Sequence, residues 1–492
     1  MTESVVIVGA GLGGLQTGSI LSRHGFKVTV LEAGHQVGGC LQSFRRGGCV
    51  FDTGLHYVGG LGEGESLRRL FDYFGLSTLP WRQLDRDCFD EVFLEGEGSF
   101  SLASGHDRFV DTLARRFPAQ RKALETYAGT LKAVGDNIFK AFDRSGGDDG
   151  GMNAAFGRSA YEFLCSTISD PILRKVLSGT SLKVGLDAER LPLYVFAQIN
   201  DSFIRSAWRL NGPGTLVADA LVREIRSCGG EVLTDSRVVS LETDDSGVRR
   251  AVLEDGRVVE GDWFISDAHP AVTLSLVGQT RLLRRIYRSR IGGLRNSVGM
   301  FTASIVLKPG AMDYMKRNLY VHSREADLWR INPEKTESVL LHCYPPSEGT
   351  SMTHVDLISP MSGAGLENFA SLAPGRRGKE YDAVKASKAS ECIDLVSKAL
   401  PDFRNCIDKV YTSTPLTYQS YTGTPEGSAY GIVKDWQNPM GTVLAPRTPI
   451  PNLLLTGQSL NLHGVLGVSM TSVLTASCIL GLEALRSEIL NG

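Results

Sequence analysis

The chain is poor in the features that metal, disulfide and nucleic-acid chemistry require. Its nine cysteines stand at 40, 49, 88, 165, 228, 343, 392, 406 and 478, odd in number, irregular in spacing and without a C-x-x-C. That pattern predicts free thiols in a reducing compartment, the cytoplasm, and not a disulfide framework. The nine histidines form no H-E-x-x-H and no cluster with cysteine, so no metal site is expected. Neither charge is in surplus: 52 basic residues face 54 acidic ones. A general nucleic-acid binder needs a basic excess and is excluded. No leader peptide fits, because the first apolar run, Val5–Val8, enters a glycine turn with no basic segment or cleavage site around it. No nucleophile elbow or paired-carboxylate signature appears. Residues 448–482 lack Asp, Glu, Lys and Arg and are long enough to span a bilayer. Pro449, Pro451, Gly457, Gln458, Asn461, Gly464 and Gly467 interrupt them, which predicts strand, loop and buried helix instead.

What is present reads as an ordinary globular protein. Of the 492 residues, 42% are hydrophobic and 22% charged, enough for a large core without staples. The length predicts two to four domains, or one nucleotide-binding core carrying large insertions. There is no internal repeat, and Gly-Gly-Asp-Asp-Gly-Gly at 146–151 reads as a loop.

The amino terminus carries the first chemical signal. The β-branched run Val5–Val8 ends at Gly9, and Gly9, Gly11 and Gly14 fit G-x-G-x-x-G. A helical apolar pattern (Leu15, Ile20, Leu21), a turn at Gly25 and a second strand, Lys27–Leu31, follow, closed by Glu32. Gly9 permits the tight turn, Gly11 lets backbone approach a pyrophosphate, and Gly14 lets helix pack on strand. The helix amino end then offers free N–H groups to phosphate. Glu32, 18 residues past Gly14, suits ribose hydroxyls and disfavours a 2′-phosphate, so FAD or NAD fits better than NADP. The motif alone does not choose between those two.

Residues 38–60 make the pattern more specific. Gly38-Gly39-Cys40, then Phe51-Asp52-Thr53-Gly54-Leu55-His56-Tyr57, resembles the retinol saturase family and its bacterial relatives, within the carotenoid desaturase and prolycopene isomerase group. Desaturases of that group usually carry Arg after the Gly-Gly pair. Cys40 stands there instead, similar to the saturase branch, and removes a cation near the cofactor. The resemblance continues through Asn211–Gly214, Arg237–Leu241, Ile265–Pro270, Ser413–Thr417, Thr424–Gly431, Asn452–Gln458 and His463–Gly467. It covers nearly the whole chain in order, and is loosest over 65–200 and 285–410.

The resemblance implies an α/β fold: a Rossmann-like FAD-binding domain of amine oxidase type with an inserted α+β substrate domain. The expected cofactor segments are 1–64, 200–280 and 411–492; the expected substrate segments are 65–199 and 281–410. Strands are expected at Gly299–Leu307, Ser338–Tyr344 and His354–Ser359, and helices at Phe109–Phe117, Gln120–Lys140 and Tyr381–Leu400. The cofactor is expected to be FAD, held by Gly9, Gly11, Leu12, Gly13, Gly14, Glu32, Ala33, Gly38, Gly39 and Cys40. Val238 is expected to meet the adenine with its backbone. Gly457, Gln458, Gly464, Leu466, Gly467 and Val468 are expected to close on the flavin, with Gln458 where related flavoproteins often have Asp.

The implied activity is saturation of a conjugated double bond in an apolar polyene, a retinoid or carotenoid, with desaturation or cis–trans isomerisation on the same scaffold as the alternative. His56, Tyr57 and His463 are the candidate proton donors, with water as the alternative source. Asp267 and His269 are expected to shape a return loop and Glu426 a turn. An amine oxidase would need an aromatic cage, and no Phe, Tyr or Trp follows Trp436. A lipid-binding protein that keeps FAD only for stability is a further reading. The glycines at 59–64 lack a preceding strand and a later ribose acid, so no second nucleotide site is expected and the electron donor is not visible. The arginines at 281, 284, 285, 288, 290 and 295, interleaved with apolar residues, suggest a basic amphipathic face able to rest on an anionic membrane.

Overall fold

A computed structural model describes residues 2–138, 155–363 and 365–491. The glycine-rich stretch 146–151 and the end of the helix expected over 120–140 lie outside the described residues. Five parallel strands form one sheet in the order Glu231–Leu233, Lys27–Leu31, Ser4–Val8, Trp263–Ser266, Leu453–Leu455. Strands buried on both faces should be near-continuous apolar runs, and these are. Val5 and Ile7 face the helices Leu12–Arg23, Thr215–Ser227 and Gly464–Leu480. Val6 and Val8 face a three-stranded antiparallel sheet, Val238–Thr243, Val248–Leu253 and Val258–Glu260. This is the expected Rossmann-like architecture.

The helix Gly464–Leu480 falls in the uncharged carboxyl-terminal stretch. It packs on Leu12–Arg23, and Gln16 Nε2 donates to Ser469 Oγ at 2.8 Å across the contact. Apolar character on nearly all sides therefore reflects burial in protein. Among the described residues no helix is long and apolar enough to cross a membrane.

A second, seven-stranded sheet runs in the order Ile407–Ser413, Gly299–Leu307, His354–Met361, Ser338–Cys343, Asn318–His322, Asp90–Leu94, Gly98–Leu102. The helix Gly378–Ala399 covers one face, burying Phe301, Ile305, Leu341 and Leu357. The opposite face meets the helices His106–Ala114, Arg121–Gly135, Pro171–Ser178 and Leu193–Arg205. The expected strands and helices are found with ends shifted by a few residues. Gly105, at φ 91°, starts the helix at His106, three residues before the apolar pattern begins. In the arginine-rich stretch only Arg285–Gly292 is helical, ended by Gly293. The expected continuous face is thereby shortened. Arg288 is turned inward, donating to the carbonyls of Leu274, Val277 and Gly278.

The glycines after Tyr57 have a packing reason. Gly59 pairs with Ala207 in a short sheet, and a Cβ there would stand 2.5 Å from the Ser202 carbonyl carbon. Gly59 thereby seats the helix Leu193–Arg205 against the strand.

Candidate active site

The loop after Ser4–Val8 is built for a phosphate. Gly9 takes φ 98°, and a Cβ on Gly14 would overlap the Gly9 carbonyl oxygen. Gly11 caps the helix with no side-chain bond, so the first-turn N–H groups of Leu12 and Gly13 remain for a ligand. Glu32 closes the second strand beside this turn. Its Oε2 accepts from Ala10 N–H at 2.9 Å and its Oε1 from Gly34 N–H at 2.8 Å, which also places Ala33 at the rim. Gly38 and Gly39 have φ of 111° and 55°; Gly38 N–H donates to the Ala10 carbonyl at 2.7 Å, and a Cβ on Gly39 would stand 3.3 Å from Gly11 Cα. The Gly-Gly pair therefore lies directly on the fingerprint, with Cys40 exposed beside it. Val238 starts the antiparallel sheet on the adjoining flank.

The carboxyl-terminal residues close over the same place. A Cβ on Gly13 would come within 2.9 Å of Gly457 Cα, and Ser472 Oγ donates to the Gly13 carbonyl at 3.3 Å. Gln458 follows, and His463 precedes the helix whose first turns hold Gly464, Leu466, Gly467 and Val468. No side chain caps that helix, so a second set of N–H groups is free next to the first. Two uncapped helix ends, an acidic strand end and glycines whose missing side chains let these backbone segments meet all suit a flavin dinucleotide.

The seven-stranded sheet presents a buried polar row to this region. Ser304 pairs with Asp356, Asp356 with His342, and Asn318 with Asp90; Leu319 opposite Leu341 puts Asn318 in step with His342. All five row members are at most 2% exposed. Each is met by a neighbouring element. Tyr344 donates to Asp356 and accepts the Asp52 N–H at 2.8 Å. Asp52 in turn accepts from Ser43 Oγ at 2.6 Å and Gly214 N–H at 2.8 Å, tying three segments together. Arg209 donates to Asn318 at 2.6 Å, and the His56 ring lies 4.9 Å from that of His342. Tyr57 donates to Asp90 at 2.9 Å and lies 2.6 Å from the Tyr320 hydroxyl. Lys183 donates to the same Asp90 at 3.1 Å.

Tyr57 and His463 belong to one connected group. His463 Nε2 is 3.3 Å from the Lys183 carbonyl oxygen, and its ring packs 4.5 Å from that of Tyr430, whose hydroxyl donates to the Leu182 carbonyl. His56 stands apart, against His342, with its Nδ1 buried and without a partner. Burial, with the Arg209 charge, pushes His56 down to about 4, and burial pushes His463 down to about 4. Both imidazoles are neutral at pH 7. Burial and Asp90 raise the Tyr57 phenol well above its ordinary range. Asp90, Lys183, Tyr320 and His342 were not singled out from sequence. The available signal was a polar residue inside an otherwise apolar strand, as in Ser-Val-Leu-Leu-His-Cys at 338–343.

His269 and Glu426 do what was expected. His269 Nδ1 accepts from Ala271 N–H at 3.2 Å, and Glu426 sits in a turn with φ 59°. Asp267 does more than shape a loop: its carboxylate accepts from the N–H groups of Gly11 and Gly14.

This geometry defines a flavin-dependent oxidoreductase: an open dinucleotide cradle faced by a separate sheet and helical cap. The profile of the flavin containing amine oxidoreductase family matches residues 12–289, more than half of the chain, and the chain belongs to that family. It is 25% identical to human all-trans-retinol 13,14-reductase over 97% of this chain and 85% of that protein. It is also 25% identical to a 4,4′-diapophytoene desaturase of Methylomonas sp over 58% of this chain and 57% of that protein. Cyclohexylamine oxidase from Brevibacterium oxydans IH-35A shares the fold, with a TM-score of 0.62 and 16% identity, each chain covered completely.

Proposed function

We propose that this chain is an FAD-dependent oxidoreductase that saturates one conjugated double bond of an apolar polyene isoprenoid, a retinoid or carotenoid. The carrying observation is the seam between cap and cofactor segments. The apolar cluster of the cap, with Phe203, Leu340 and Ile358, runs without a break to Leu462 of the closing loop, with Tyr57 and Tyr430 packed against it. The similarity to a retinol reductase along nearly the whole chain supports the same reading.

Bound FAD supplies hydride from its reduced ring. The chain contributes the rest. The first-turn N–H groups near Gly11–Gly14 would hold phosphate, Glu32 would accept ribose hydroxyls, and the amino end of Gly464–Leu480 would favour negative charge near the ring. Of the three expected donors, the two imidazoles carry no charge to shed at pH 7. Tyr57 is the proton donor: its O–H bond breaks as the C–H bond forms. The phenolate left behind accepts from Tyr320, and the Lys183 ammonium, 5.8 Å from the Tyr57 ring, offsets the Asp90 charge that opposes its formation.

Anaerobic incubation of the pre-reduced holoprotein with retinol, and separately with a carotene, tests this by mass. Products two hydrogens heavier are expected. Unchanged mass with altered geometry supports isomerisation, and loss of two hydrogens from the oxidised enzyme supports desaturation. Tyr57→Phe is expected to slow single-turnover saturation about 100-fold, with FAD content unchanged. An equal rate in the variant overturns the assignment of Tyr57.

We propose further that the arginine-rich stretch rests on an anionic lipid surface. Arg281, Arg284, Arg285, Arg290 and Arg295 are exposed. Two exposed apolar side chains accompany them: Ile286 is 77% and Met440 88% exposed, and Arg290 donates to the carbonyl of the neighbouring Gly441. Cations around apolar tips fit anionic lipid, each cation near the surface contributing about 1 kcal/mol. Cosedimentation with phosphatidylserine-containing vesicles is expected, falling at least tenfold for the pair Arg284→Glu and Arg285→Glu. Equal binding to neutral vesicles overturns the idea.

A further inference from the structure

Asp267 leaves the strand Trp263–Ser266, which lies parallel beside Ser4–Val8, and so emerges over the fingerprint turn. Its Cβ is 3.2 Å from where a Gly14 Cβ would stand and 3.5 Å from one on Gly9. Its Oδ1 is 2.5 Å from the place of a Gly457 Cβ and overlaps the place of one on Gly13; its Oδ2 overlaps that of one on Gly11. The carboxylate thus fills the space that those three glycines leave open. Its two hydrogen-bond donors, Gly11 and Gly14 N–H, belong to the anion-binding turn itself.

The titratable groups facing Asp267 are the Glu32 carboxylate, from the second strand, and the Cys40 thiol, from the Gly-Gly loop. The helix Leu12–Arg23 contributes only backbone N–H at this point, and the closing loop contributes Gly457 and the neutral Gln458. No cation is among these neighbours. Burial, with a smaller push from Glu32, raises Asp267 to about 7, while the two N–H groups pull it down. A dinucleotide held by this turn would bring its diphosphate, with two negative charges, close to this carboxylate.

We propose that Asp267 couples cofactor capture to proton uptake: FAD binds with one proton taken from solvent onto the Asp267 carboxyl. The balance is one O–H bond formed on Asp267, with no electron transfer. Neutral Asp267 releases its claim on the Gly11 and Gly14 N–H groups and turns from a repelling anion into a donor toward a phosphate oxygen. Above the apoprotein's titration range each binding event must then bring a proton, and affinity falls as pH rises.

The test is equilibrium binding of FAD to apoprotein, followed by quenching of flavin fluorescence between pH 6.5 and 8.5. Over the upper part of that range the wild-type dissociation constant is expected to rise about tenfold per pH unit, the slope of a single proton. Asp267→Asn, which keeps the shape and cannot ionise, is expected to bind with no such slope and at least tenfold more tightly at pH 8.5. Calorimetry of the wild type at pH 8, in two buffers of different ionisation enthalpy, reads the proton directly and does not depend on the variant folding. About one proton per FAD is expected. No proton uptake, or parallel slopes for the two proteins, overturns the proposal.

Discussion

Gly14→Ala is expected to give a protein that retains less than a tenth of the wild-type flavin after purification. An added Cβ would overlap the Gly9 carbonyl oxygen, a backbone atom fixed by the strand Ser4–Val8 and unable to rotate away. The helix Leu12–Arg23 must then lift from the strand. Its amino-terminal N–H groups leave the position that Gly9, Gly13 and Gly38 hold around them. Overpacking of this kind costs about 1–3 kcal/mol in stability, and the greater loss is expected in binding, because the displaced donors are the proposed phosphate contacts. The ratio of flavin absorbance to protein absorbance measures it. Gly129→Ala is the matched control. Gly129 lies on the exposed face of Arg121–Gly135 with nothing near its missing Cβ. That variant should keep its flavin and gain about 1 kcal/mol from helix propensity.

Lys183→Met is expected to destabilise the protein by about 3–5 kcal/mol, because it leaves the Asp90 carboxylate without its cation in a dry interior. Asp90 is fully buried, and the Lys183 side chain is 9% exposed. Burial pushes the Lys183 ammonium down, and Asp90 holds it up. Tyr57 and Asn318 also donate to this carboxylate but carry no charge. The double variant Asp90→Asn with Lys183→Met removes both charges and should recover most of the loss. Urea unfolding of the wild type, Lys183→Met, Asp90→Asn and the double variant in parallel measures the coupling. A double variant no more stable than Lys183→Met alone would show that the pair is not the source. The same cycle bears on catalysis, since Asp90 orients the Tyr57 hydroxyl.

The two ends of the site differ in how far sequence exposed them. The fingerprint was readable because backbone sterics act locally: a run of β-branched residues, glycines at fixed offsets and an acid at the next strand end leave few alternatives. The closing segment at 457–468 was readable only through resemblance, since nothing local tells a glycine pressed against Gly13 from one in a plain turn. The polar row was not read at all. Ser304, Asp356, His342, Asn318 and Asp90 come from five strands spread over more than 250 positions, and only strand register lines them up. Cysteines and arginines show the same division. Free thiols followed from spacing, but which arginines face water depended on Arg288 folding back onto three carbonyls.

By itself, then, the order of residues determined the first strand–helix–strand unit and its dinucleotide-binding turn, because those depend on contacts within about 40 residues and on conformations that only glycine tolerates. Tertiary structure alone decided the charge states of the candidate donors and the surroundings of Asp267. Protonation state depends on burial and on charges brought together from distant segments. His56 and His463 look like acids in the sequence, yet desolvation leaves them neutral. Asp267 looks like a turn residue, yet strand pairing sets its carboxylate among the N–H groups prepared for a phosphate.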